Sequence, residues 1–123
     1  MSLVAVVTSF AMTTTAQAAP LFTIKTTDDN PGGTLSFTAY GDIVTICDVQ
    51  ADGKPAVGTV WTTGGVQLYT FMASGNGTCN TRRASDGGVF DLVEGREYGF
   101  EVCLQNDNGT WSFCRTNWAF NNN

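Results

Sequence analysis

The chain has no histidine among its 123 residues, and only six are Lys or Arg. The missing histidines remove the commonest general base and the commonest metal ligand. Basic residues are scarce against eleven Asp and Glu, and the formal net charge is -5. That balance excludes a nucleic-acid binder, which needs a basic face for phosphate, and docking to an anionic membrane surface. No stretch approaches the ~20 apolar residues of a membrane span. There is no C-x-x-C pair for zinc and no G-x-S-x-G nucleophile elbow. A long helical period is also missing after residue 20, as are an internal repeat and any sign of a second domain.

The apolar run LVAVVTSFAM at residues 3–12 is followed by Ala16-Gln17-Ala18, the small-x-small pattern of a signal-peptidase site. Residues 1–18 therefore read as a signal peptide cut after Ala18. It lacks its basic n-region, as a start assigned too late or a trimmed sequence would. Four cysteines, Cys47, Cys79, Cys103 and Cys114, agree with export and imply two disulfides. Asn108-Gly109 is a type I′ hairpin signal. With those two residues as the loop, Gln105 faces Ser112 and Cys103 faces Cys114 on a hydrogen-bonded site, Cα atoms ~5.5 Å apart. Cys47 is left for Cys79.

Period-2 runs alternate with turn chemistry. Residues 21–27, 34–39, 43–49, 56–62, 66–73, 88–93, 98–105 and 111–116 read as strands. Seven or eight short strands at this spacing predict an all-β antiparallel sandwich. Its core is expected from Phe37, Ile46, Val60, Leu68, Phe100, Val102, Leu104 and Phe113. The sandwich domain spans residues 34–120. Residues 19–33, apolar and then broken by Asp28-Asp29-Asn30-Pro31-Gly32-Gly33, are either the first strand or an arm able to join another protein's sheet edge or fill a cleft.

Chemistry is thin. Ser and Thr have no His to activate them, and a Ser-Lys pair would need Lys25 or Lys54. Asp42, Asp48, Asp52, Asp91, Glu97 and Glu101 are the carboxylates that could serve a glycosidase, but they fit solvated faces and turns better. Asp48, directly after Cys47, is the one expected to bond turn amides. Asp48-x-x-x-Asp52-Gly53 has too few ligands for an EF-hand loop. Asn76-Gly77-Thr78 and Asn108-Gly109-Thr110 match N-glycosylation acceptors but coincide with turns. Trp61, Trp111 and Trp118, aided by Tyr40 and Tyr69, could offer flat faces to a glycan, against the commoner fate of packing in a core. No catalytic residue, metal or cofactor is expected.

The order GGTLSFTAYGDIVTICDVQADGKPAVGTVW, a second cysteine near the middle and YGFEVCLQNDNGTWSFCRTNW at the end resemble a group of small secreted actinobacterial β-sandwich proteins with two disulfides. Among them are the adaptor subunits of umbrella toxin particles. The resemblance covers roughly Gly32 to Trp118 and rests on cysteines, glycines and one D-x-x-x-D-G turn. It implies a secreted, extracellular, non-enzymatic adaptor in interbacterial competition. Such an adaptor links a lectin subunit to the repeat-containing stalk of a large antibacterial toxin. It further implies that Ala19, Pro20, Leu21 and Phe22 would enter a cleft on the lectin subunit's degenerate protease-like domain. The other functions weighed are a carbohydrate-binding module using exposed tryptophans and a secreted protease inhibitor.

Overall fold

The computed structural model describes residues 19–122. The proposed signal peptide and its cleavage site lie outside the described residues. The described residues form eight strands: β1 (Phe22–Lys25), β2 (Gly33–Thr38), β3 (Ile43–Asp48), β4 (Ala56–Thr62), β5 (Gln67–Ala73), β6 (Cys79–Arg82), β7 (Glu97–Gln105) and β8 (Trp111–Phe120). They pair antiparallel in two four-stranded sheets, ordered β1-β2-β3-β6 and β5-β4-β7-β8. The expected sandwich is the observed one. Among the described residues, no helix is long and apolar enough to cross a membrane.

Alternation explains the core. Leu35, Phe37, Val44 and Ile46 point inward from the first sheet, and Val60, Phe71, Phe100 and Val102 from the second, all buried. Phe37 and Phe100 stack across the gap with ring centroids 4.2 Å apart. Leu68 packs against this core from its edge. At this residue β5 carries a bulge, so Trp61 pairs with Gln67 after Val60 pairs with Tyr69.

Segment 88–93 is not a strand. Gly87 at φ 81° and Gly88 at φ 57° adopt left-handed backbone, and Gly88–Phe90 closes as a 3₁₀ turn. The strand the sequence pattern did not show is β6, Cys79–Arg82, whose sequence CNTR has no apolar alternation. Its place is fixed from outside its own pattern. Cys47 and Cys79 face each other and are bridged, Thr45 and Thr81 share a 3.0 Å hydroxyl bond, and the Arg82 guanidinium lies 5.0 Å from the Phe71 ring centre.

Both expected disulfides are present. The hairpin carrying the second differs in detail. Gly109 N–H donates to Asn106 O and Asn106 N–H to Thr110 O, so the loop has three residues, 107–109, with Gly109 alone at positive φ, 82°. This is a type I turn closed by a glycine bulge, not type I′. The β4–β5 hairpin closes in the same way, with Thr62, Gly65 and Val66 in the corresponding bonds. Near the loop the register is therefore one residue off the expected one, with Leu104 opposite Ser112 and Gln105 opposite Trp111. Phe113 is the extra residue that restores it: φ is 55° there, and from Val102↔Arg115 onward the pairing runs as expected. In both disulfides the Cα atoms are 4.1 Å apart, which for Cys103 and Cys114 is nearer the ~4.5 Å of a non-hydrogen-bonded pair than the ~5.5 Å anticipated. The same bulge removes Phe113 from the core. Inserting one residue reverses the face a side chain takes, and Phe113 is exposed, with Lys54 Nζ 5.9 Å above its ring. Its carbonyl accepts from Thr27 N–H at 3.0 Å, and Arg115 Nε donates to Lys25 O at 3.0 Å. The kinked β8 thereby ties β1 of the opposite sheet.

Candidate functional site

All three tryptophans lie outside the core. On the outer face of the second sheet, strand register puts Trp61, Gly99 and Trp118 side by side on β4, β7 and β8. The next row on that face holds Thr70, Thr59, Glu101 and Thr116. Gly99 makes the arrangement possible. A Cβ built there would come within 2.9 Å of the Trp118 ring, so the indole lies down on the bare backbone of β7. Trp118 is 46% exposed, and Trp61 is half-buried. With Gly65, Glu101 and Thr116 they enclose a trough of about 300 Å³. Thr116 Oγ1 donates to Glu101 Oε2 at 2.9 Å, which fixes the carboxylate along the trough floor. The site thus combines apolar ring faces with an anchored acceptor and a hydroxyl.

The other aromatic candidates are not part of this trough. Trp111 is exposed at the hairpin end of β8 opposite Gln105. Tyr40 is exposed in the β2–β3 turn. Tyr69 is buried against Phe71 and Phe90, its hydroxyl has no hydrogen-bond partner, and desolvation pushes its pKa far up.

The carboxylates do separate jobs. Asp48 is buried and accepts from Gln50 N–H at 3.3 Å and Gly75 N–H at 3.0 Å, as turn chemistry beside Cys47 suggested. Asp52 accepts from Lys54 N–H, and Asp86 from Arg83 N–H. Asp91 is exposed. Glu97 is half-buried opposite Phe120. Asp42 is buried, and burial raises its pKa above the ordinary carboxylate value. The cluster of Glu101, Cys103 and Cys114 has the proximity of a metal site, but both sulfurs are consumed in the disulfide and no thiolate is left to bind.

The N-terminal residues divide. Ala19, Pro20 and Leu21 are exposed, with Leu21 N–H already donating to Phe37 O at 2.7 Å. Phe22 begins β1 and sets its ring against Phe37 and Phe100, centroids 5.9 and 5.4 Å away. The segment is thus the first strand from Phe22 onward, and only its tip projects.

Sequence reasoning weighed Trp61, Trp118 and Glu101 but passed over Gly99 and Thr116. A glycine inside an alternating strand is itself a signal of close approach, and Tyr98-Gly99-Phe100 carried it.

No protein-family model matches the chain, and no curated protein matches it. Among solved structures it is similar to an endonuclease/exonuclease/phosphatase from Beutenbergia cavernae DSM 12333, with 27% identity and a TM-score of 0.57. The match covers 83% of this chain and 28% of that one, so the chain spans just over a quarter of that protein's length.

Proposed function

We propose that this is a secreted, non-enzymatic binding domain whose ligand is a neutral saccharide held in the Trp61–Gly99–Trp118 trough. The carrying observation is the row itself: two indoles in register across a glycine, over a fixed Glu101–Thr116 pair. A pyranose ring has an apolar C–H face that stacks on an indole and equatorial hydroxyls that need an acceptor such as Glu101. The Trp118 ring lies over Gly99, the residue between it and Trp61 in the row, and both indoles border the same trough. The Glu101 charge and the net charge of -5 disfavour acidic glycans. Two disulfides mark an oxidising, non-cytoplasmic setting, and export places the domain where polysaccharides are met. A unit of similar fold within a longer chain named as an enzyme suits a portable binding module.

The test is affinity electrophoresis in gels containing β-1,4-glucan, β-1,4-xylan or soluble chitin derivatives. At least one should retard the protein, and Trp118→Ala should abolish the retardation while leaving the folded state intact. Equal mobility of wild type and variant in every gel would overturn the reading.

A second reading, the adaptor joining a lectin subunit to a toxin stalk, is favoured by the exposed tip at Ala19, Pro20 and Leu21. Phe22 then serves as the strand that presents the tip. Under this reading, deleting residues 19–21 removes partner binding and Trp118→Ala does not.

A further inference from the structure

The two sheets end in β1, β6, β5 and β8. An open strand edge is a row of unpaired N–H and C=O groups that native folds normally cover, charge or bend. Among the described residues three of these edges are managed in that way. At β1, Lys25 O and Thr27 N–H are bonded to Arg115 Nε and Phe113 O, both at 3.0 Å. The β5 edge is covered from the first sheet, where Asn80 Nδ2 donates to Met72 O at 3.0 Å and Arg82 lies over Phe71. β6 is only four residues long and runs into Arg82-Arg83.

β8 is the exception. Its first half is bent at Phe113 and engaged by the β1 segment. Its second half, Thr116-Asn117-Trp118-Ala119-Phe120, has no charge, no proline and no register shift. The ladder fixes which way the main chain points there. Asn121 N–H donates across to Arg96 O, so by alternation Ala119, Asn117 and Arg115 turn their main-chain groups to β7, and Thr116, Trp118 and Phe120 turn theirs outward. The far side of β7 gives the same phase, because Gln105 N–H donates to Pro55 O beside β4. Side chains leave this edge unshielded. Thr116 Oγ1 reaches back to Glu101, the Trp118 indole lies back over Gly99, and Phe120 is 53% exposed.

We propose that two copies of this chain join through these edges, antiparallel about a two-fold axis at Trp118. An open main-chain edge selects an extended strand as its occupant, and segment 116–120 is its own complement. With the axis at Trp118, every outward residue meets an outward residue. Trp118 meets Trp118 of the second copy and Thr116 meets its Phe120, each facing pair exchanging two main-chain bonds. An axis at Asn117 would instead set Phe120 against Cys114, beside the Phe113 bulge, and lose that pair. Aromatic–aromatic and aromatic–β-branched neighbours are favourable cross-strand pairs. Charge does not oppose the match, although the chain carries -5. In the joined rows Glu101 stands behind Thr116, and Glu97 stands behind Phe120 of the second copy. Three strand spacings separate them, ~14 Å, beyond the ~8 Å screening length at physiological ionic strength. The two four-stranded sheets become one continuous sheet whose outer face carries two Trp61–Gly99–Trp118 rows end to end. Each trough gains Phe120 of the other copy beside its Thr116. That last consequence rests on the saccharide reading; the pairing of the edges does not.

The test is sedimentation velocity over a concentration series of the purified protein without saccharide, with amide exchange followed by NMR over the same series. A reversible monomer–dimer equilibrium is expected. The Thr116, Trp118 and Phe120 amides should exchange more slowly as the dimer fills, while those of Asn117 and Ala119 stay protected throughout. Phe120→Lys puts a charge on the exposed edge and should raise the dissociation constant tenfold or more. Phe120→Pro removes an outward N–H that β7 does not use and should do the same. If either variant fails to fold, the exchange pattern of the unmodified protein decides alone. A monomer at every concentration would overturn the proposal. So would a dimer whose three outward amides stay unprotected, or whose affinity neither variant changes. Saccharide binding by such a monomer would leave the trough reading standing.

Discussion

At Gly58 and Gly99 one added methyl group would meet different obstacles. A Cβ on Gly58 overlaps the Ile46 side chain in the core, where neighbours cannot retreat. Gly58→Ala should therefore destabilise the domain by ~1–3 kcal/mol through overpacking, read as a lower urea midpoint. A Cβ on Gly99 meets only the outer end of the Trp118 indole, which is free to lift toward solvent. Gly99→Ala should leave the urea midpoint nearly unchanged yet weaken saccharide binding about tenfold, ~1.4 kcal/mol, because the platform tilts. A loss of stability matching that of Gly58→Ala would mean that Trp118 is a structural lid instead. Tyr69 offers a third case. Its buried hydroxyl has no partner, so Tyr69→Phe should be neutral or stabilising at neutral pH, since an unsatisfied buried polar group costs ~1–3 kcal/mol. Destabilisation beyond ~1 kcal/mol would show that the hydroxyl does have a partner.

Strands differ in what holds them. β1 is short and lies at a sheet edge, so beyond its bonds to β2 and β8 its apolar anchoring falls on Phe22 and Ile24, with the aromatic contacts made by Phe22. Phe22→Ala should cost about 3 kcal/mol, the low end for a phenylalanine truncation because the ring is only half-buried. Deleting residues 19–21 should cost far less. Equal effects from the two changes in a denaturant titration would contradict this division. The disulfides differ through loop length. Cys47–Cys79 spans 32 residues and Cys103–Cys114 spans 11, worth about 4 and about 3 kcal/mol in the chain-entropy account. Replacing each pair by alanine should rank them in that order. The same elements show what was legible beforehand. β7 was readable almost residue by residue, because Tyr98, Phe100, Val102 and Leu104 alternate around a buried face, and β4 was bounded by its flanking turn residues although Ala56 to Val60 are all buried. β6 was not, since its place comes from a disulfide and a hydroxyl pair formed with β3. The Cys103–Cys114 pairing was reached through a turn type that does not occur; the longer loop and the bulge at Phe113 each shift register by one and cancel. Phe113 itself shows the limit, because no alternating pattern reveals an extra residue inside a strand.

Over the whole molecule, the inner faces are spent on the core and both disulfides staple outer faces, while the outer face of the second sheet also keeps two tryptophans around a glycine. Sequence alone could propose the tryptophans as binding groups but could not choose among the three, since facing and register are decided by pairings distant in the chain. The central claim is that Trp61 and Trp118, and not Trp111, hold the ligand. The sequence has three tryptophans, so their indole N–H groups supply three separate proton–nitrogen signals. The direct measurement is to follow those signals while titrating a soluble oligosaccharide from the polysaccharide that retards the protein. The account predicts that the Trp61 and Trp118 signals move together along one saturation curve, with Trp111 stationary. Movement of Trp111 alone, or no movement of any indole while binding is otherwise detectable, would contradict it.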